Sequence, residues 1–501
     1  MKNGRFLPWV LALSLVFPLA AVAPAQASQD WDQIISERAP VGSEAVSVDE
    51  YGGFEKFSTR EVAVFDGAWT GDYESWNCES GNTGRGDCDL SRPEHSFSAN
   101  AILPFCETVA QENCVEGLEI GPVGGTLEPA RFIRHVNSRT YPELKSQGLM
   151  AGGATSLFES SVLHAGGQGT YAATVVAQVG YDRIRKVFRT ESLNVAVYGY
   201  TEDKNPSHEI KFFTTGKTKD GKTRRQLGFA GGATPGCKWI ETGACGVERP
   251  FAPGIEVKLT MRVPDTITGW FRGRLKTPQI EITQFSSKNT RVSVQAQPVE
   301  VARMYSVVKE AEATQKQKDA IWANCGSCTM FKGGGRSLPF SHWGNFNYIE
   351  LFRKNAKDTA ATTTTHWSFS TIDNASGNPC LASKSRLLGI VTTNATMYNG
   401  IVPAFRRGQL NYEVSGMHYL PDGTLSLGTY DLVMRSDVAR CLYGFSNAPL
   451  NARVSVVNNK GERSTATTVV GEKNGWLRLA AYGFTFSKKT IKVKLNQKPR
   501  R

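Results

Sequence analysis

Beyond residue 23 the chain has no apolar run long enough to cross a bilayer, so no membrane-spanning helix is expected in the rest of it. Nowhere do five like charges stand together, and nothing reads as a basic arm for nucleic acid or as an acidic tail. The seven histidines, at 95, 135, 164, 208, 342, 366 and 418, show no metal-ligand spacing. His208-Glu209 lacks the second histidine four positions on that a zinc peptidase requires. Gly444-Phe-Ser446 lacks the closing glycine of a nucleophile elbow. Gly216 to Thr223 matches the phosphate-loop pattern but lacks the helix that must follow it. Asp220-Gly221, set between strand-like runs from Glu209 to Thr214 and from Thr223 to Phe229, reads instead as a hairpin turn. Neighbouring carboxylates such as Asp72 with Glu74, or Asp87 with Asp89, lie in polar turns and define no cleft. The residues therefore nominate no catalytic, cofactor-binding or metal site.

What is present begins with an export signal. Lys2 and Arg5 precede an apolar stretch from Phe6 to Ala23, and Ala25-Gln26-Ala27 supplies the small residues a signal peptidase reads, so cleavage is expected before Ser28. The alternative, an uncleaved anchor, is disfavoured by Pro8 and Pro18 within the run. The net charge is +12 at pH 7, and loss of Lys2 and Arg5 leaves +10. Outside a cell, the counter-charges for such a surface are wall polymers, acidic glycans and lipid headgroups rather than nucleic acid; dispersed charge also serves solubility alone.

Ten cysteines stand at 78, 88, 106, 114, 237, 245, 325, 328, 380 and 441. In an exported chain an even number reads as disulfides, and neighbour pairing is the simplest scheme: Cys78 with Cys88, Cys106 with Cys114, Cys237 with Cys245, Cys325 with Cys328, and Cys380 with Cys441. Two of these loops repeat a plan. Cys106 to Cys114 and Cys237 to Cys245 each enclose seven residues, contain a Glu-Thr pair and lead into Val and Glu, at an offset of 131 residues, the pattern that two related halves would leave.

The expected architecture is mostly β: antiparallel, β-sandwich-like domains with one long helix near the middle of the chain. Residues 1–27 form the signal and 28–60 an N-terminal helix and connector. A β-rich body covers 61–297, where Ile255 to Val263 alternates, with Val257, Leu259, Met261 and Val263 facing a core and Lys258, Thr260 and Arg262 facing water. Pro298 opens a helical segment, 298–328, with Val301, Met304, Tyr305 and Val308 at helical spacing and a Cys-x-x-Cys end. Residues 329–379 read as a loop and aromatic-rich connector. The last part, 380–501, carries about six short strands and reads as a β-sandwich-like domain.

Two short motifs have competing readings. Arg85-Gly86-Asp87, in a polar loop between Cys78 and Cys88, is a receptor tripeptide or an ordinary turn. Cys325-Gly-Ser-Cys328 is a thiol-disulfide pair or a staple at a helix end; Trp322 stands three residues before it, unlike the aromatic directly preceding a thioredoxin-like pair.

Tyr430 to Leu495, the two Cys-x7-Cys loops, Thr268 to Leu275 and Ser383 to Asn399 resemble exported β-rich proteins of actinobacteria. That resemblance implies export and fold type, and carries no activity or functional residue with it. The expectation is a secreted or cell-surface binding or structural protein that contacts anionic or sugar-rich surface polymers, without cofactor or nucleic acid. The alternatives are a secreted hydrolase of polysaccharide or peptide, and a thiol-disulfide protein using Cys325 and Cys328.

Overall fold

The computed structural model describes residues 40–49, 78–80, 95–136, 150, 153–182, 184–203, 210–217, 223–229, 238–239, 245–323, 330–332, 334–339, 348–372, 378–383, 385–399, 402–446, 450–458 and 460–497. The signal, the N-terminal helix, the Arg85-Gly86-Asp87 loop, Cys325 and Cys328 lie outside them.

The protein is mostly β, with several largely antiparallel sheets. The largest gathers 17 strands, and its centre is Thr362–Ile372. One edge of that strand pairs with Val187–Asp203, through Trp367 opposite Val197. It also pairs with Gly269–Arg274 and Val299–Lys309, through Trp270 opposite Ile372 and Val299 opposite His366. From there the sheet runs through Leu387–Thr393, parallel to Gly269–Arg274, to Leu427–Arg435, Trp476–Thr485 and finally Thr467–Lys473.

Two smaller sheets cover this sheet on opposite faces. A five-stranded sheet, which includes Cys114–Pro122, Ile255–Pro264 and Asn289–Gln297, packs its Val115, Leu259 and Val292 with Phe271, Trp367 and Ile390. A six-stranded sheet, including Gln409–Ser415, Leu450–Asn458 and Lys489–Gln497, packs Tyr412, Val456 and Ile491 with Trp270, Leu388 and Leu432. Adjacent residues of the same strands thus serve different cores: Phe271 the first, Trp270 the second; Ile390 the first, Val391 the second. Leu387–Thr393 is buried at every position, which explains why its sequence, LLGIVTT, is apolar at the start instead of alternating with charge. Trp367 Nε1 donates to the Ala296 carbonyl at 3.0 Å and ties the central strand to the five-stranded layer.

The long helix expected after Pro298 is not there. Val299–Lys309 is a strand, held between Ser43–Asp49 and Thr362–Ile372, and only Gln315–Ala323 is helical in this region. Four valines in eleven residues favour a pleated backbone, and two strand partners, one along residues 299–303 and one along 304–309, override a spacing that also fits a helix. The helix begins where the local signal is strong. Thr314 Oγ1 accepts from the Gln317 amide at 3.3 Å and Gln317 Oε1 accepts from the Thr314 amide at 3.0 Å, a reciprocal capping box. The other α-helices among the described residues are also short, Tyr348–Phe352 and Ser436–Tyr443.

The strand-like runs on either side of the phosphate-loop match pair as the hairpin reading expects, and Asp220 and Gly221 lie outside the described residues. Ile210–Lys217 and Thr223–Phe229 pair antiparallel, with Ile210 opposite Phe229. Gly444, at φ 65°, caps the helix Ser436–Tyr443, its amide donating to the Arg440 carbonyl, so Gly444-Phe-Ser446 ends a helix and is no strand-to-helix elbow.

Candidate functional site

Two disulfides are formed among the described residues, Cys106–Cys114 and Cys380–Cys441, with Cα separations of 5.1 and 5.7 Å. The second joins the 3-10 turn Pro379–Leu381 to the helix Ser436–Tyr443 at the margin of the second core. The side chains of Cys78, Cys88, Cys237, Cys245, Cys325 and Cys328 lie outside the described residues. In both Cys-x7-Cys loops the second cysteine opens a strand, Cys114–Pro122 and Cys245–Arg249, but the first belongs to the five-stranded sheet and the second to the largest one.

The Cys106–Cys114 loop is one wall of a cavity of about 1020 Å³, at the upper end of the range for small-molecule sites. Pro104, Met150 and three chain reversals supply the rest. The reversals are the turn between Thr170–Asp182 and Val187–Asp203, the bend at Pro264 to Thr266, and the turn at Lys288 and Asn289.

A buried cation holds that wall. Arg262 is 5% exposed, and its Nη1 donates to the carbonyls of Val109 at 3.0 Å, Gln111 at 2.7 Å and Thr108 at 3.4 Å. Its Nη2 donates to Glu116 Oε1 at 2.8 Å, and its guanidinium lies 4.0 Å from the Phe285 ring centroid. Arg291 Nε reaches the other Glu116 oxygen at 2.6 Å. Burial pushes the Glu116 carboxyl upward, but the hydrogen bonds and charges of Arg262 and Arg291 outweigh it and leave the group below its ordinary range. Arg262 was expected to face water. The loop folds over its side of the strand, so Thr260 and Arg262 are buried, and Thr260 pairs with the Ser293 hydroxyl at 2.9 Å.

The entry to the loop is fixed by a histidine. His135 Nε2 accepts from the Phe105 amide at 3.1 Å, and Phe105 stacks on Phe132 with ring centroids 4.2 Å apart. Burial lowers the imidazole pKa more than the charge of Glu107 raises it, which suits the acceptor role of a neutral ring. At the far end, the Asn113 amide donates to Asn289 Oδ1 at 3.0 Å, with Asn113 itself at φ 53°, a conformation asparagine tolerates.

The lining is rich in neutral polar groups: Thr108, Gln111, Asn113, Thr190, Thr266 and Asn289. Its basic members are Arg185, Arg189 and Lys288, and its acidic members Glu112 and Asp265. Asp182 stands behind both arginines, 2.8 Å from Arg185 and 3.8 Å from Arg189, so the charges around the cavity nearly cancel. Glu112 accepts from the Ser286 hydroxyl. The aromatic member, Phe188, is 5% exposed and offers no open ring for stacking.

The Cys106–Cys114 loop is legible in the sequence, and the cavity is not. Residues 185–189, 264–266 and 288–289 are distant in the chain, and no spacing rule connects them. Arg262, an arginine in a strand with no acid beside it in sequence, was the one available signal. Among the described residues no group of three or more His, Cys, Asp or Glu could hold a metal ion. Comparison of the chain with models of protein families, with curated proteins and with solved structures finds no match in any of the three.

Proposed function

We propose that this is an exported, cell-surface or secreted binding protein whose ligand is a hydroxyl-rich polymer of the sugar type, held at the cavity beside the Cys106–Cys114 loop. The observation that carries the reading is the lining itself. Residues that carry amides and hydroxyls, from four separate segments, line one space, and its few charges are nearly balanced. Amides and hydroxyls donate and accept in the way that sugar hydroxyls require. A disulfide-stapled wall fits an oxidising compartment, as does the export signal of the first 27 residues.

A pull-down on purified neutral wall polysaccharide tests the reading. Binding is expected to change little from low to high salt and to be lost in Ala110→Trp, which fills the mouth from an exposed loop position with small effect on folding. A wild-type protein that leaves the polysaccharide in solution, or a variant that binds as well as wild type, refutes it.

One observation favours a hydrolase as the second reading: Glu112 and Asp265 border the same cavity, and paired carboxylates are what glycoside hydrolysis uses. Release of reducing ends by the wild-type protein, abolished in Asp265→Asn, would move the assignment to this reading.

A further inference from the structure

The outer face of the six-stranded sheet has a charge pattern that the fold does not explain. Leu410, Tyr412, Ile491, Val493, Val454 and Val456 point into the second core, so their sequence neighbours point out. Register makes the outward residues neighbours across the sheet. Arg453 lies opposite Lys494, Ser455 opposite Lys492, and Asn411 opposite Lys492 from the other side. Arg406 lies opposite Gln409, which is one position on from the Leu410–Val493 pair and so in line with Lys494. One row across four strands therefore reads Arg406, Gln409, Lys494, Arg453, and the next reads Ala404, Asn411, Lys492, Ser455.

Arg406, Arg453 and Lys494 are exposed and Lys492 is half-buried. Directly opposed like charges destabilise an antiparallel pair, and no carboxylate among the described residues forms an ion pair with any of the four. The acid of this face, Glu413, stands at its end, 4.0 Å from Lys488. The hairpin that carries Arg406 adds a fifth cation. Arg407 and Gly408 make its two-residue turn at φ 51° and 69°, and the first of these positions favours Asn, Asp or Gly over arginine.

We propose that this face binds a linear acidic polysaccharide, its carboxylates or phosphates on the Arg/Lys row and its hydroxyls on the amides and hydroxyls between. Adjacent strands lie about 4.8 Å apart, so cations and hydrogen-bonding groups alternate on the scale of a sugar residue and its substituents. The chemistry of the face selects this partner over other anions. It has no aromatic ring on which a nucleobase would stack, and no exposed aliphatic or aromatic side chain to enter a bilayer. The assignment is independent of the cavity's occupant, because the two sites share no residue.

The test uses the full exported chain with polygalacturonate as probe, and neutral dextran, single-stranded DNA and phosphatidylglycerol vesicles as comparisons. Arg406→Gln, Arg453→Gln, Lys492→Gln and Lys494→Gln are expected to weaken polygalacturonate binding about two- to fivefold each and roughly tenfold or more together. Each also lowers the slope of log affinity against log salt by about one. Arg406→Lys and Arg453→Lys should preserve binding. Removing four charges elsewhere, at Lys309, Lys316, Lys318 and Lys332, should leave it unchanged, as should Ala110→Trp. Equal losses in the two fourfold variants would mean that net charge alone acts, and would overturn the proposal. So would DNA or vesicles binding as tightly as polygalacturonate, or wild-type affinity in the face variant. Thermal unfolding guards against misfolding: the face variants should melt at or above the wild-type temperature, since the substitutions relieve repulsion.

Discussion

Two histidines make the stability of this protein fall as the pH drops below the ordinary imidazole value. His164 is 2% exposed, and its Nδ1 accepts from the Gly166 amide at 3.0 Å, a role open only to the neutral ring. Burial lowers its pKa below 6.5, the charge of Arg249 adding to the effect, and burial lowers that of His135 in the same direction. A proton therefore binds the unfolded chain before it binds the folded one. The stability these rings contribute is complete above pH 6.5 and is lost as the pH falls from there toward their folded-state values. Melting temperature followed downward from neutral pH should decline through this range, and His164→Asn should flatten the decline. A flat wild-type profile would mean that neither ring is held neutral. Asp431 behaves differently from both. It is fully buried and accepts from Tyr482 Oη at 2.5 Å and Arg478 Nη2 at 3.1 Å, yet burial outweighs these partners and raises its pKa. It therefore favours the fold more as the pH falls, opposing the histidines rather than reinforcing them.

At the scale of elements, the wall of the cavity has two fastenings, and they differ in kind. The disulfide closes a nine-residue loop and by chain entropy contributes about 2.5 kcal/mol, acting on the unfolded chain. Arg262 acts on the folded loop, through three carbonyls and Glu116, and truncating one partner of a buried charge pair costs about 3 kcal/mol or more. Urea unfolding of Arg262→Met should show a loss at least as large as that of the Cys106→Ser/Cys114→Ser double variant. Only the arginine variant should also weaken polysaccharide binding, because the loop then no longer keeps its shape. A disulfide variant that loses binding while Arg262→Met keeps it would reverse this division.

The strands were legible where apolar and polar residues alternate: Ile255–Pro264 lies close to where its alternation puts it, although its polar side is covered. Two kinds of element were not. Val299–Lys309 satisfied a helical spacing, and its strand state depends on two partners, Ser43–Asp49 and Thr362–Ile372, that no local rule brings to it. Thr362–Ile372 itself lay in a segment read as a connector, since a run of threonines followed by Trp367 has no alternation to display. It is nevertheless the strand on which the large sheet converges. The cavity was hidden for the same reason: its lining comes from turns that only tertiary pairing assembles.

For the whole molecule, the consequence of sharing strands between layers is that the two cores do not stand apart. Gly269–Arg274, Leu387–Thr393 and Leu427–Arg435 each place alternate side chains in the first and second cores, so neither smaller sheet can leave without exposing strands the other also needs. Packing at the crossing leaves little room: a Cβ on Gly389 would come within 2.3 Å of the Val433 carbonyl oxygen and 2.6 Å of the Trp270 ring. Two independently stable domains would melt separately, and a substitution in one would move only its own transition. Shared strands couple them. Phe369→Ala in the first core and Leu479→Ala in the second remove large buried side chains, at a cost of about 3 kcal/mol each. Calorimetry should show each variant lowering one common transition that includes both cores. If Phe369→Ala leaves part of the heat absorption at its wild-type temperature, the two cores fold as separate units, and the strands between them are an interface and not a common layer.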